Sequence, residues 1–309
     1  MKRGRALTSL GAATVALAWP RATRAAGKPI GIGIVASDVS AEPIYAEAQN
    51  LYAKAGLVPQ IQALANGGAI LAAVVGGALD LGFANLTSIA AARQRGAPVR
   101  IVAPATIYTD KAPVTVLVKA RGSKLRTGAD LRGKTVAVST LRGELQVAVS
   151  LWIDKNGGES GQTKFIELPF SAMPAALAAG RVDAAMLTEP ALTQHKDTVE
   201  LLSLAYSAIA DEFLIGGFVA SETWIRDNGD AAKRFGALIL ETARWANGHH
   251  TETAAILAKR ANLDDALVRS MTRATYGERL SADMIQPVLD AAAKYGSLTR
   301  AMKAAELLA

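Results

Sequence analysis

Five short polar strings hold the side chains with the most chemistry to offer. In the first half they are Ser37-Asp38, Asn66-Gly67-Gly68 and Asn85-Leu86-Thr87-Ser88; in the second, Ser139-Thr140-Leu141-Arg142-Gly143 and Thr188-Glu189. Each sits beyond an apolar run that reads as a strand, and most lead into a helical stretch. Hydroxyls, amides and glycine N–H groups at helix N-termini suit an oxyanion. Arg142 could clasp such a group with two parallel hydrogen bonds, and Tyr45 could stack on an organic body. Asp38 would repel an anion unless neutralised. The same residue types also make N-caps and turns, so for each taken alone a structural role stands level with ligand contact. The candidate ligand-binding set is Ser37, Asp38, Tyr45, Asn66, Gly67, Asn85, Thr87, Ser88, Thr140, Arg142, Gly143 and Glu189. Glu189-Pro190 also reads as a structural turn.

No catalytic constellation accompanies them. The sequence has no G-x-S-x-G elbow, no H-E-x-x-H, no P-loop and no G-x-G-x-x-G opening a helix. Gly31-Ile32-Gly33 lies inside the first apolar run and lacks the third glycine. There are 3 histidines, a small supply of the usual general acid–base residue. His195 reads as a surface residue, and His249 and His250 end a helix, where they complement its dipole rather than bind metal. Trp224 and Trp245 fall on helical faces that read as core. Lys119, Arg121, Lys124, Arg126, Arg132 and Lys134 read as a solvated basic surface. No metal and no cofactor are expected.

The elements that would position the polar strings alternate. Strands are expected at Ile30–Val35, Val58–Ala63, Leu79–Ala84 and Val99–Ala103, with helices at Glu42–Ala55, Ala69–Val75 and Thr87–Arg95 between them. After Val114–Lys119 the rhythm restarts with strands Thr135–Ser139, Lys164–Leu168, Val182–Leu187 and Val199–Ser203. Helices Glu144–Lys155 and Ala172–Ala179 lie between these, and from Glu222 onward the chain is almost all helix. This alternation predicts mainly parallel sheets flanked by helices. The restart is visible in the residues. Gly27-Lys28-Pro29-Ile30-Gly31-Ile32 is echoed by Gly133-Lys134-Thr135-Val136-Ala137-Val138, an offset of 106 residues. Ala72 to Asp80 is echoed by Ala175 to Asp183, an offset of 103. In both copies a glycine with positive φ would stop the helix and an aspartate would open the next strand. Two similar α/β lobes side by side follow, with a cleft where the carboxyl ends of both sheets meet and hinges near Tyr108–Pro113 and Ala205–Asp211.

Composition narrows the classes. The chain has 309 residues, is 50% hydrophobic and 20% charged, and contains no cysteine, which excludes a disulfide scaffold, a Cys-type metal site and a catalytic thiol. Residues 1–25 hold Lys2, Arg3, Arg5, Arg21 and Arg24 and no acid. Removing those 5 of 34 basic residues leaves 29 against 27 acidic residues, a net charge of +2 that gives no footprint for nucleic acid. The basic head, the apolar stretch Ala6–Trp19 and the small residues up to Ala25 read as a cleaved export signal. Ala55–Leu79 is also uncharged, but its proline and glycines keep it from being one membrane helix.

In the second half, Phe170-x-x-Met173-x-x-Ala176-Leu177-x-x-Gly180-x-Val182-Asp183-Ala184, followed by Glu189-Pro190, resembles the substrate-binding proteins of ABC importers. The family is the one that takes up aliphatic sulfonates, taurine, nitrate and thiamine precursors. The likeness extends through Pro43-Ile44-Tyr45, Ala55-Gly56-Leu57, Gly77-Ala78-Leu79-Asp80-Leu81-Gly82, Asp130-Leu131-Arg132-Gly133-Lys134, Ala220-Ser221-Glu222-Thr223-Trp224 and Met284-Ile285-Gln286-Pro287-Val288-Leu289. It implies the type II periplasmic binding protein fold: 26–112 in the first lobe, 113–211 in the second, and 212–309 returning to the first with C-terminal helices. It also implies a monomeric periplasmic protein that takes a small anionic organic nutrient by hinge closure and hands it to a permease in the inner membrane. Two other readings stay open, a ligand sensor for a membrane receptor and an enzyme on the same fold related to thiamine-precursor synthesis. The latter needs a Cys-rich motif that this chain lacks.

Overall fold

A computed structural model describes residues 28–309 of the chain; the expected export signal lies outside these residues. The first half runs β1 (Ile30–Val35), α1 (Glu42–Ala48), α2 (Leu51–Ala55), β2 (Pro59–Leu64), α3 (Gly67–Val75), β3 (Leu81–Asn85), α4 (Leu86–Gln94) and β4 (Val99–Pro104). A linker strand β5 (Thr106–Thr109) leads into β6 (Thr115–Ala120), β7 (Thr135–Val138), α5 (Glu144–Lys155), β8 (Lys164–Glu167), α6 (Met173–Ala178), β9 (Ala184–Thr188), α7 (Ala191–Gln194) and β10 (Val199–Ser203). The return passes through β11 (Glu212–Leu214) to β12 (Gly216–Ser221). It continues through α8 (Glu222–Asp227), α9 (Gly229–Gly248), α10 (His250–Ala261), α11 (Asp265–Ser270), β13 (Thr275–Tyr276) and α12 (Gln286–Lys294).

These strands form two five-stranded sheets of matching order, β2-β1-β3-β12-β4 and β8-β7-β9-β6-β10. Within each, the first three strands run parallel and the fourth runs antiparallel to both its neighbours. Four strands of each sheet therefore point one way, as the alternation leads one to expect, and a single strand runs against them. The antiparallel strand is in each case the one with which the chain enters from the other half, a direction no local pattern encodes. A small sheet, β11-β5-β13, lies on the two crossings.

The duplicated residues do the same work twice. Gly77 and Gly180 carry φ of 75° and 64°, the left-handed turn that ends each helix. Three residues on, Asp80 accepts the Gly31 N–H at 2.8 Å and donates its own N–H to the Gly31 carbonyl at 3.0 Å. Asp183 accepts the Thr135 N–H at 2.9 Å and donates to the Thr135 carbonyl at 2.8 Å. Each aspartate thus pins the start of its strand to the first strand of its sheet, with Ile32 opposite Leu81 and Val136 opposite Ala184. Gly33 belongs to packing, not to a nucleotide: a Cβ there would stand 2.7 Å from Leu79 and 2.8 Å from Ile70.

Three local expectations change. The helix expected over Glu42–Ala55 breaks at Asn50, whose φ of 57° is a turn that asparagine tolerates. His249 follows the last residue of α9 and stacks on Trp245 at 5.0 Å, while His250 opens α10. Lys119 is buried and paired with Glu200 at 3.0 Å rather than solvated. The C-terminal part also does more than return to the first sheet. Helix α12 packs on both α4 and α5, and Tyr295 donates to Asp154 of α5 at 2.7 Å. Among the described residues no helix is long and apolar enough to cross a membrane.

Candidate functional site

The polar strings lie at the carboxyl ends of the strands, as the alternation requires. In the first lobe two of them are engaged in capping. The Asn66 side chain accepts the Ala69 N–H at 2.9 Å at the start of α3, and Asn85 accepts the Ser88 N–H at 2.8 Å at the start of α4. Gly67 brings α3 against the end of β3, where a Cβ would meet the Ala84 Cα at 3.4 Å. Ser37 and Ser88 are half-buried, and Thr87 is buried with a hydroxyl that has no partner among the described residues.

Asp38 and Tyr45 are engaged inside the first lobe in this arrangement: the condition that Asp38 be neutralised is met by Arg273, and the Tyr45 ring is closed off rather than open to stacking. Asp38 receives two parallel hydrogen bonds from Arg273, Nε to Oδ2 and Nη2 to Oδ1, both 2.8 Å. It also accepts the Ala274 N–H and the Tyr276 hydroxyl at 2.8 Å and the Tyr45 hydroxyl at 2.9 Å. Burial alone would push its carboxyl up, but the Arg273 guanidinium and these donors outweigh it and hold it below the usual range. Tyr45 is 0% exposed, with Trp245 and Tyr276 edge-on at 6.5 and 6.0 Å, so its ring has no free face. Arg273 stands 235 residues from Asp38 in the chain, so no spacing could have revealed it.

The second lobe is arranged differently. At the end of β7 the loop turns through Arg142, whose φ of 58° is left-handed and whose N–H donates to Gln146 at 2.7 Å. Thr140 is exposed, and its carbonyl accepts the Gly143 N–H at 3.2 Å. Gly143 caps α5 in an extended conformation with no side-chain cap, leaving the first-turn N–H groups of a 12-residue helix uncovered by a side chain. The Arg142 side chain is exposed and makes no hydrogen bond or ion pair among the described residues. At the end of β9, Glu189 is buried. Its carboxylate accepts from Thr193 at 2.9 and 3.0 Å and from the Thr272 N–H at 3.2 Å, tying the second lobe to the segment that carries Arg273. Burial and then the nearby Asp38 charge raise its pKa against these donors.

Sequence reasoning missed two acids. Glu42 and Glu144 open α1 and α5, the helices after the corresponding strands β1 and β7, and both are buried with no hydrogen-bond partner on either carboxyl oxygen among the described residues. Burial pushes Glu144 up to about 8 and Glu42 well above the usual carboxylate range. Their offset of 102 residues, next to the 103 and 106 of the visible repeats, was the available signal. Among the described residues no group of three or more His, Asp or Glu side chains is placed to hold a metal ion.

A family model described as NMT1/THI5 like matches residues 39–253. No curated protein matches the chain. Among solved structures, the periplasmic aliphatic sulphonate binding protein SsuA from Escherichia coli superposes with a TM-score of 0.74 at 18% identity, over 91% of this chain and 92% of that one. The alkanesulfonate-binding protein SsuA from Xanthomonas axonopodis pv. citri, bound to MOPS, gives 0.73 at 20% identity, over 91% and 98%. The periplasmic nitrate-binding protein NrtA from Synechocystis PCC 6803 gives 0.71 at 16% identity, over 88% and 82%. The fold is thus that of the periplasmic binding proteins, as the residues had led us to expect.

Proposed function

The chain belongs to the NMT1/THI5-like family, and on that premise we propose that it is a periplasmic solute-binding protein of an ABC importer. It captures a small anionic organic nutrient between two lobes and delivers it to a membrane permease. Residues 1–25 act as the export signal, 26–112 and 212–309 build the first lobe, 113–211 the second, and the protein works as a monomer.

The observation that carries this reading is the state of the charges. Of the three charged residues in the candidate set, Asp38 is neutralised by Arg273 and Glu189 is held by Thr193 and Thr272. Arg142 alone is left exposed and unpaired among the described residues, beside the uncapped N-terminus of α5. A free guanidinium and open helix N–H groups at one loop favour an oxyanion. Asn66, Gly67, Asn85, Thr87 and Ser88 line the opposite side in this proposal, and the ligand's anionic group rests on Thr140, Arg142 and Gly143. The sulfonate- and nitrate-binding proteins of the same fold support an oxyanion as the cargo class. We read the role as binding rather than catalysis: Asp38 and Glu189, the two acids of the candidate set, are engaged by Arg273 and by Thr193 and Thr272.

The test is a thermal-shift screen with sulfonates, nitrate, aromatic and aliphatic carboxylates, pyrimidines and flavins. A ligand at 100 times its Kd adds about 2.7 kcal/mol of stability. A shift with an anion that disappears in Arg142→Ala supports the proposal; a shift confined to uncharged compounds, or one indifferent to Arg142, overturns the anionic cargo.

A further inference from the structure

Glu144 sits where the second lobe meets the linkers. Its helix packs on the turn Ala205–Ala208, which carries Tyr206 in the second crossing. The Tyr206 hydroxyl neighbours the Glu144 carboxyl, whose oxygens complete no hydrogen bond among the described residues. The Tyr206 ring is in turn clasped by one aromatic from each linker strand. Tyr108 of β5 is 5.4 Å away and Phe213 of β11 is 5.3 Å away, and these two are 5.2 Å from each other. β5 and β11 are paired, with Tyr108 opposite Phe213. A bend of the two linkers would therefore shift these three rings against one another, beside the Glu144 carboxyl that neighbours one of them.

We propose that Glu144 is a proton-operated stop for the hinge. Neutral, it lets Tyr206 stay packed on the Tyr108 and Phe213 rings of the paired linker strands and keeps the lobes together; when its O–H gives a proton to solvent, the carboxylate demands water and that packing loosens. The proposal rests on the hinged-binding reading above. An apolar aromatic neighbourhood tolerates a neutral acid far better than an ion; the first-turn N–H groups of α5 and the exposed Arg142 two residues away favour the carboxylate, but burial outweighs them. Around α5, Asp154 is engaged by Tyr295 and Ser160, and Lys155 donates to the Ala208 carbonyl at 2.7 Å. On α12, Lys294 lies over the Tyr295 ring and Asp290 meets Gln286; on α4, Arg93 is held by Glu222. Tyr108 is bracketed by Asp110 and Asp211, which add negative charge. The partner-free carboxyl recurs in the first lobe as Glu42, but there it neighbours Asp38 inside one lobe rather than a ring that touches both linkers.

The sign of the pH effect follows from linkage. If the hinged-open form hydrates Glu144, its carboxyl titrates there near the ordinary value of about 4.5, against about 8 in the arrangement seen here. The closed-to-open ratio is then highest at low pH, falls up to about tenfold per pH unit as pH rises between those limits, and is level above about 8.

The chain has no cysteine, so Gln62→Cys on β2 and Lys164→Cys on β8 give one clean pair of spin labels, both at exposed positions on the outer strands of the two sheets. Distance distributions between pH 5 and 9, in ligand-stripped protein, report closure directly. The expected result is a short-distance population that declines towards pH 8, is independent of pH in Glu144→Gln, and in Tyr206→Phe keeps declining to a higher pH, because the Tyr206 hydroxyl lowers the Glu144 pKa. Tyr206→Phe keeps the ring and so serves even where Glu144→Gln folds poorly. Two populations whose ratio ignores pH, or a Glu144→Gln curve matching the parent, overturn the proton stop while leaving hinged binding intact. A single distance at every pH, unchanged by the ligands of the thermal screen, overturns the hinge itself.

Discussion

The loop after the corresponding strands β1 and β7 has opposite fates in the two lobes. After β1 it folds inward: Asp38 takes five hydrogen bonds from Arg273, Tyr45, Ala274 and Tyr276, and the loop becomes a fixed floor. After β7 it stays open, with Arg142 exposed and Gly143 leaving the helix start bare. The sheets beneath are the same in strand order, and both are fastened by the same Gly-x-x-Asp device. Duplication has therefore preserved the scaffold while the two cleft loops diverged, one towards rigidity and one towards availability.

Breaking the rigid copy should be the costliest change. Arg273→Met leaves Asp38 buried without its partner and should lower stability by about 3–5 kcal/mol in urea unfolding; a loss near zero would mean the cluster does not hold the floor. The open copy should respond the other way round. Arg142→Ala should leave stability within about 0.5 kcal/mol yet cost an anionic ligand about 1.5–3 kcal/mol, roughly 10- to 100-fold in Kd by calorimetry. The common scaffold predicts equality: Asp80→Ala and Asp183→Ala should each lose about 1–3 kcal/mol as a strand-start N–H is orphaned. Clearly unequal melting shifts would show that the two fastenings are not equivalent. Smallest is Glu42→Gln, expected to leave the pH curve of lobe distances unchanged where Glu144→Gln flattens it. A matching effect from Glu42 would spread the proton dependence over both lobes.

What could be read from the residues alone follows from what is local. Gly77, Gly180, Asp80 and Asp183 act within a few residues of their own strand and turn, and their repetition exposed the two lobes before any coordinates. Strand β1 and helix α5 fall on the expected residues because apolar periodicity sets them. The reversed direction of β6 and β12 depends on where the chain re-enters, which no window of residues records. Within the candidate site, the capping roles of Asn66 and Asn85 were foreseeable from residue type. The neutralisation of Asp38 was not, because its partner lies in the C-terminal quarter. Glu42 and Glu144 were hidden by their position: an acid in the first turn of a helix ordinarily complements the dipole at the surface, and only packing reveals that these two are sealed in.

The place of β12 between β3 and β4 has a consequence for the order in which the molecule can be built. The second sheet has all its strands once residue 203 has emerged, because β6, its antiparallel member between β9 and β10, comes first. The first sheet stays split, with β4 unpaired, until residues 216–221 arrive. At a synthesis rate of about 5–20 residues per second that is a delay on the order of ten seconds between the making of β4 and its pairing. During that interval the edges of β3 and β4 are open to any other extended chain. The sheet begun second is completed first, and the sheet begun first is the one left for a time with open edges.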